Sequence, residues 1–142
     1  MLILELSPEH EKAIAEHGER AYPNECCGFL LGRDDGTVRH TLALREAGNE
    51  SDANEQYHRF SISPEDFMAA DRDARQRKMD VVGFYHSHPN APARPSPVDQ
   101  EHAWPVYSYV IVSVHEREAR ERTSWVLRDD RSGYDEQTIR RS

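Results

Sequence analysis

Apolar residues recur along the chain with two different periods, and this pattern predicts a fold in which strands and helices alternate. Short runs that are continuously apolar, or that alternate apolar with polar residues, indicate strands. The predicted strands cover residues 2–6, 26–31, 37–45, 81–85, 106–114 and 123–127. Because helices interleave with these strands, the sequence predicts an α/β or α+β fold with a central mixed sheet.

The predicted helices share one start signature, a serine followed by a proline. Serine is a favoured N-cap because its hydroxyl accepts a hydrogen bond from a free N–H of the first turn, and proline suits the first helical position. The signature occurs at Ser7-Pro8, Ser63-Pro64 and Ser96-Pro97. We expect the first two helices to end near residues 21 and 78 and the third to be short.

The length and net charge of the chain indicate a single acidic domain. The chain has 142 residues, 37% of them hydrophobic, which is enough to bury a core without crosslinks. We predict one domain over residues 1–142, with a core over about 1–128 and a C-terminal tail after it. The net charge of −8 argues against nucleic acid or an anionic membrane as partner, and it suits a partner with a basic surface.

The only cysteines, Cys26 and Cys27, are adjacent and cannot close a useful disulfide loop. A structural zinc ribbon is excluded because the chain has no Cys-x-x-Cys pair. Buried, reduced thiols are typical of cytoplasmic proteins. The sequence also has no apolar run of about 18 residues and no signal-peptide pattern at its start. We therefore expect a cytoplasmic protein.

The stretch GFYHSHPNAPARPSPVD, at residues 83–99, combines two histidines and a carboxylate in a pattern that could hold a metal ion. In a strand, His86 and His88 lie on the same face, with their Cα atoms about 7 Å apart. Pro89 should end the strand, since it lacks the N–H that a sheet needs. The loop that follows returns the chain, so that Asp99 could supply a third ligand. Two imidazoles, one carboxylate and an open position are typical of a catalytic zinc site.

Each part of this pattern also has an ordinary structural explanation. A His-x-His pair alone is weak evidence for a metal. Ser96 and Asp99 have the spacing of a capping box, in which both side chains satisfy helix N–H groups. His102 lies one turn beyond Asp99 and is expected on the helix surface, while Trp104 is expected to pack in the core or in a groove.

The combined motif resembles that of the JAMM (MPN+) metalloprotease family, H-S/T-H-P-x(6)-S-x-x-D. That family also requires an upstream glutamate in the pattern E-x-C-G-x-L-x-G, and the segment YPNECCGFLLG places Glu25 there. Asn49 and the segment RFSISPEDF, at residues 59–67, resemble the family's connecting segment, and YVIVSV, at 109–114, resembles its strand after the site. The resemblance covers about residues 1–128.

The resemblance implies a fold and a set of roles. The fold is a mixed, curved β-sheet flanked by helices, of the cytidine-deaminase-like JAMM architecture. One Zn²⁺ per chain would be bound by His86, His88 and Asp99. Glu25 would act as general base, and Ser96 would donate a hydrogen bond to the oxyanion.

The resemblance also implies a substrate class. Family members commonly cleave peptide or isopeptide bonds after the C-terminal Gly-Gly of ubiquitin-like proteins, and this chain resembles the short prokaryotic stand-alone type, associated with sulfur-carrier proteins. One alternative is a non-catalytic MPN scaffold. Another is a zinc hydrolase acting on a different small amide, such as a deaminase, although the Pro-Cys-x-x-Cys ligand pattern of those enzymes is missing. The physiological substrate and the oligomeric state stay open.

Overall fold

Strands and helices follow one another along the chain in nearly the predicted order. The computed structural model describes residues 2–141, so that Met1 and Ser142, the ends of the predicted domain, lie outside the described residues. The strands are β1 Ile3–Leu6, β2 Cys27–Asp34, β3 Val38–Ala47, β4 Asp80–Pro89, β5 Ser108–His115, β6 Glu118–Leu127, β7 Tyr134–Gln137 and β8 Ile139–Arg141. The helices are α1 Pro8–Ala21, α2 Pro64–Gln76 and α3 Pro97–His102.

The eight strands form one mixed sheet in the order β7-β6-β5-β4-β2-β3-β1-β8. The hairpin β2–β3 is antiparallel, β4 is antiparallel to β2 and parallel to β5, and β1 is parallel to both β3 and β8. Strand β4 therefore lies in the middle of the sheet, with a neighbour on each side. This confirms the predicted mixed, curved sheet flanked by helices.

Each face of the sheet carries its own hydrophobic cluster. One cluster contains Leu4, Ile14, Tyr85 and Val112 and lies under α1. The other contains Phe29, Ala70 and further buried residues and lies under α2. Burial of such apolar side chains is the main favourable term in folding. No helix within residues 2–141 is long and apolar enough to cross a membrane.

The segment after residue 128, predicted as a tail, contains two strands. Strand β7 pairs with β6 and β8 pairs with β1, at opposite ends of the sheet order, although only Thr138 separates β7 from β8. The sheet therefore curves until its two ends meet. These strands are four and three residues long and mostly polar, so they give no periodic signal of their own. Buried Gln137 helps to hold this segment on the sheet, since its side-chain amide donates a hydrogen bond to the Leu2 carbonyl at 2.8 Å.

Candidate metal centre

Sheet topology brings the upstream glutamate next to the two histidines. Strands β2 and β4 are antiparallel neighbours, and Cys27 at the start of β2 pairs with His86 near the end of β4. Glu25 stands two residues before β2, so it lies at the same edge of the sheet as His86 and His88. Residues more than sixty positions apart in the sequence therefore meet, because one strand begins where the other ends.

The two histidines lie on one face of β4, as strand alternation predicts. Their Nε2 atoms are 3.2 Å apart. Ser87, between them, points to the opposite face, where its hydroxyl accepts a hydrogen bond from the Cys26 N–H at 2.8 Å. The strand ends at Pro89, in agreement with the sequence.

Asp99 reaches the same point from the start of α3. Its Oδ2 atom lies 3.3 Å from His86 Nε2 and 3.0 Å from His88 Nε2. That oxygen also accepts the Ser96 N–H at 2.9 Å, while the Ser96 hydroxyl accepts the Asp99 N–H at 3.1 Å. The predicted capping box is therefore present, and it fixes the carboxylate that faces both imidazoles.

The spacing of these three ligand atoms fits a small tetrahedral ion. Ligands about 2.0–2.1 Å from a tetrahedral zinc ion must be about 3.3–3.4 Å apart. The observed separations are 3.0, 3.2 and 3.3 Å. Glu25 completes the group, because its carboxylate and the other three ligand atoms all lie within 4.8 Å of one another. Four of the five predicted site residues thus converge, and Ser96 adjoins them through Asp99.

The environment of Glu25 is unusual for a carboxylate. Its side chain is buried, and within the described residues its Oε1 atom has no hydrogen-bond partner. Burial raises the pKa of Glu25 to about 8; the charge of His88 opposes this shift, and the charge of Asp99 adds to it. A positive ion placed among these groups would favour the ionised carboxylate. Such an ion would interact with the unpaired oxygen and would lower the raised pKa of Glu25.

The pKa shifts of His86 and Asp99 favour the forms that bind metals, whereas the pKa of His88 is shifted in the opposite sense. Burial lowers the pKa of His86, and Asp99 offsets this only in part, so the ring is a neutral imidazole at neutral pH. Burial also opposes protonation of His88, but the hydrogen bond and charge of Asp99 outweigh it and raise the pKa of His88. Burial would raise the pKa of Asp99, yet the two imidazoles hold it well below its usual range. Neutral imidazole and ionised carboxylate are the forms that bind metals.

The two imidazoles are held in different ways. His88 Nδ1 is hydrogen-bonded to the Pro92 carbonyl oxygen at 2.9 Å. His86 Nδ1 is buried and has no hydrogen-bond partner among residues 2–141. Instead, the His86 ring stacks on Phe60, with centroids 4.5 Å apart and an interplanar angle of 28°. The sequence did not single out Phe60 for this role, although it belongs to the connecting segment of the family resemblance.

Asn49 links that segment to Glu25. Its side-chain amide donates to the backbone carbonyls of Glu25, at 3.1 Å, and Arg59, at 3.0 Å. Its Oδ1 atom accepts the N–H groups of Ser51 and Ser61 at 3.0 and 3.2 Å. One side chain therefore holds together the loop that carries Phe60 and the residue that carries the unpaired carboxylate.

A groove of about 520 Å³ adjoins the cluster and is lined by His86, Asp99, Phe60, Ile62, His102 and Trp104 among others. His102 is exposed, as predicted, and it is not part of the four-residue cluster. Trp104 is 65% exposed, which places it at the groove and not in the core. Cys26 and Cys27 are both buried and free, and burial raises the pKa of each thiol, so they stay protonated at neutral pH.

The chain is similar in sequence to known proteins. A family model described as prokaryotic homologs of the JAB domain matches residues 7–128. A desampylase of Haloferax volcanii is 33% identical over 115 residues, which cover 78% of this chain and 80% of the relative. A desampylase of Pyrococcus furiosus is 31% identical over 105 residues, covering 72% of this chain and 66% of the relative.

Solved structures give the same result at the level of the fold. A protein of Desulfitobacterium hafniense, known from a solution structure, is 31% identical and superposes with a TM-score of 0.86 over 99% of this chain and 93% of the other. A JAB1/MPN domain protein from Archaeoglobus fulgidus shares the fold at 19% identity, with a TM-score of 0.53 over 99% and 97% of the two chains. With residues 7–128 matched, the resemblance to the JAMM/MPN proteins is confirmed, and the chain belongs to the family of prokaryotic homologues of the JAB domain.

Proposed function

We propose that this protein is a zinc-dependent hydrolase that cleaves peptide or isopeptide bonds after the C-terminal Gly-Gly of a ubiquitin-like or sulfur-carrier protein. The observation that supports it most strongly is the convergence of His86, His88 and Asp99, with ligand atoms 3.0–3.3 Å apart, beside the buried carboxylate of Glu25. The two buried free thiols suit a reducing compartment, so the cytoplasm is the proposed location.

His86 Nε2, His88 Nε2 and the Asp99 carboxylate would hold one Zn²⁺ per chain. When bound, the ion supplies a Lewis acid that acidifies water and polarises a carbonyl group. Two neutral nitrogens and one anionic oxygen are a donor set that zinc accepts, and three protein ligands leave a position open for substrate or water. The capping box holds Asp99 in place before any ion arrives.

Glu25 moves the protons. Its carboxylate takes a proton from the attacking water as the new C–O bond forms at the scissile carbonyl. It then delivers that proton to the amine nitrogen as the C–N bond breaks, so that the products are a carboxylate and a free amine. Within the described residues its Oε1 atom has no protein hydrogen-bond partner, so it keeps a free acceptor for this proton.

Ser96 stabilises the tetrahedral intermediate. Its oxygen already accepts the Asp99 N–H, which leaves its O–H free to donate, and the structure gives that proton no acceptor within residues 2–141. The residue is half-buried at the edge of the cluster. A donor aimed at the developing negative charge lowers the barrier because that charge is larger in the transition state than in the substrate.

The groove favours a substrate tail without side chains. Phe60, Ile62 and Trp104 surround the approach to His86 and Asp99. Glycine lets a backbone approach such a surface closely. The relatives named desampylase and the family's preference for Gly-Gly tails support the same substrate class.

The test is hydrolysis of a linear fusion in which a ubiquitin-like protein ending in Gly-Gly precedes a reporter domain. We expect cleavage directly after Gly-Gly, loss of cleavage with a chelator, and recovery on adding zinc. A matched fusion ending in Ala-Ala should be cleaved poorly. Binding of the fusion without cleavage by the zinc-loaded protein would instead support a non-catalytic scaffold.

A further inference from the structure

We propose that Phe60 is a positioning residue for the metal centre: its ring fixes the orientation of the His86 imidazole, a task that a hydrogen bond performs for His88. This inference rests on the proposed function, because it assumes that His86 is a ligand. It goes beyond that function by assigning a role to an aromatic residue that contributes no ligand atom.

The two histidines differ in what restrains their outer nitrogen. Histidines that bind metals nearly always donate the other ring N–H to a carbonyl, a carboxylate or a water, and this bond sets the ring orientation. His88 follows that rule through the Pro92 carbonyl at 2.9 Å. His86 Nδ1 has no such partner in the described part of the chain, and the residue is only 1% exposed. Among the described residues, its ring is therefore restrained by packing and not by a hydrogen bond.

Phe60 is in the right place to do so. Its ring lies nearly parallel to the His86 ring, at 28°, with centroids 4.5 Å apart. A ring stacked at this distance blocks rotation of the imidazole about its χ2 angle, because the turned imidazole would collide with the face of the neighbouring ring. Parallel stacking also leaves both edge nitrogens of the imidazole uncovered, so Nε2 stays available toward His88 and Asp99.

The backbone around Phe60 is itself held. Asn49 binds the residues on both sides of it, donating to the Arg59 carbonyl at 3.0 Å and accepting the Ser61 N–H at 3.2 Å. The Glu50 N–H also donates to the Ser61 carbonyl at 2.8 Å. A half-buried loop residue can position a buried ligand only if the loop is fixed, and these bonds fix it.

Phe67 provides a matched control. It lines the same groove as Phe60, but its ring packs on Phe29 and Phe84 and makes no stacking contact with either histidine. Loss of Phe67 removes apolar packing beside the site without removing the ring that faces His86. A general loosening of the groove would therefore lower zinc affinity when either Phe60 or Phe67 is replaced. Loss of the positioning ring would lower zinc affinity only when Phe60 is replaced.

The experiment measures zinc affinity by competition with a chromophoric chelator for the wild type, Phe60→Leu, Phe60→Tyr and Phe67→Leu. By analogy with the loss of outer-shell partners, Phe60→Leu should weaken zinc binding by about 10-fold to 100-fold. Phe60→Tyr keeps the aromatic face and should bind close to the wild-type value. Phe67→Leu should keep its zinc affinity even if its metal-free form unfolds at a lower temperature. Replacing zinc with Co²⁺ gives a second readout: the visible bands should shift in Phe60→Leu and stay unchanged in Phe67→Leu.

The possible results separate the positioning role of Phe60 from the existence of the metal centre. Unchanged zinc affinity in Phe60→Leu, or an equal loss in Phe67→Leu, overturns the positioning role while leaving the metal centre intact. A wild-type protein that binds no zinc overturns the proposed function and this inference together. If Phe60→Leu does not fold, Phe60→Met tests the same role, since it keeps an apolar side chain of similar length but removes the ring face; weaker zinc binding supports the inference, and unchanged binding contradicts it.

Discussion

Helices α2 and α3 begin with nearly the same four residues, SPED at 63–66 and SPVD at 96–99, yet their surroundings differ. In both, the serine hydroxyl accepts the N–H of the aspartate three positions on, at 3.1 Å. In α3, the Asp99 carboxylate also accepts the Ser96 N–H and faces two imidazoles. In α2, the Asp66 carboxylate instead accepts the Gly48 N–H at 3.4 Å.

The local signature therefore specifies the start of each helix and nothing more. Asp99 is a candidate ligand because the end of β4 places His86 and His88 opposite it. Because the serine cap occurs at both helices, each substitution at α3 has a counterpart at α2 that lies away from the two histidines.

The largest difference between the two helix starts should come from the aspartates. Asp99→Asn should abolish turnover, because a neutral amide is a poorer zinc ligand than a carboxylate. Asp66→Asn should leave turnover near the wild-type value. Both are measured with the Gly-Gly fusion at one equivalent of zinc per chain. Equal activity in the two variants would remove the distinction between the helices.

A smaller but still severe loss should follow from changing the base that faces α3. Glu25→Gln keeps the shape of the side chain but cannot take up a proton, so turnover should fall by about 10²–10⁴. Zinc should stay bound, which separates this residue from the ligands. Full activity in Glu25→Gln would mean that another group moves the proton.

The two N-cap serines, Ser96 and Ser63, should also differ in their effect on turnover. Ser96→Ala should lower turnover by about 10²–10³, while Ser63→Ala should cost only the cap, about 1 kcal/mol of stability. Ser96→Asn and Ser96→Asp keep a good cap but should not restore turnover. The measurement plots turnover against melting temperature for all four variants. Activity that follows stability alone would make Ser96 a cap and nothing more.

The smallest expected effect is on stability in the absence of metal. Burial raises the pKa of Glu25 from 4.5 to about 8, so between these values the folded state holds a proton that the unfolded state has released. The contribution of Glu25 to the stability of the metal-free protein should therefore fall as the pH rises from about 4.5 to about 8, by an amount on the order of a few kcal/mol.

Glu25→Gln should remove this dependence, and the two stability curves should approach each other near pH 4.5. Urea unfolding at several pH values with a chelator present measures the difference. Parallel curves for wild type and Glu25→Gln would contradict the raised pKa.

Much of the site could be predicted from sequence because its parts obey local rules. Strand alternation placed His86 and His88 on one face, and the capping pattern placed Asp99 in the first turn of α3. Only the family resemblance pointed to Glu25. The antiparallel pairing of β2 with β4, which brings Glu25 to the histidines, is a long-range contact that no local pattern encodes.

Other features could not be predicted because tertiary contacts create them. Strands β7 and β8 exist because they complete the two ends of the sheet, and their own sequences are short and polar. The stacking of Phe60 on His86 depends on where Asn49 fixes a loop that has no periodicity. Propensity and pattern describe neighbours in sequence, whereas these contacts join segments far apart in the chain.

The most direct test of the proposed metal centre is the zinc content and affinity of the purified wild type, His88→Ala and Asp99→Asn, measured by elemental analysis and chelator competition. We predict one zinc per chain in the wild type and a loss of affinity well above 100-fold in both variants, more than an outer-shell partner costs. Stoichiometric zinc at unchanged affinity in both variants would contradict the assignment of His88 and Asp99 as ligands.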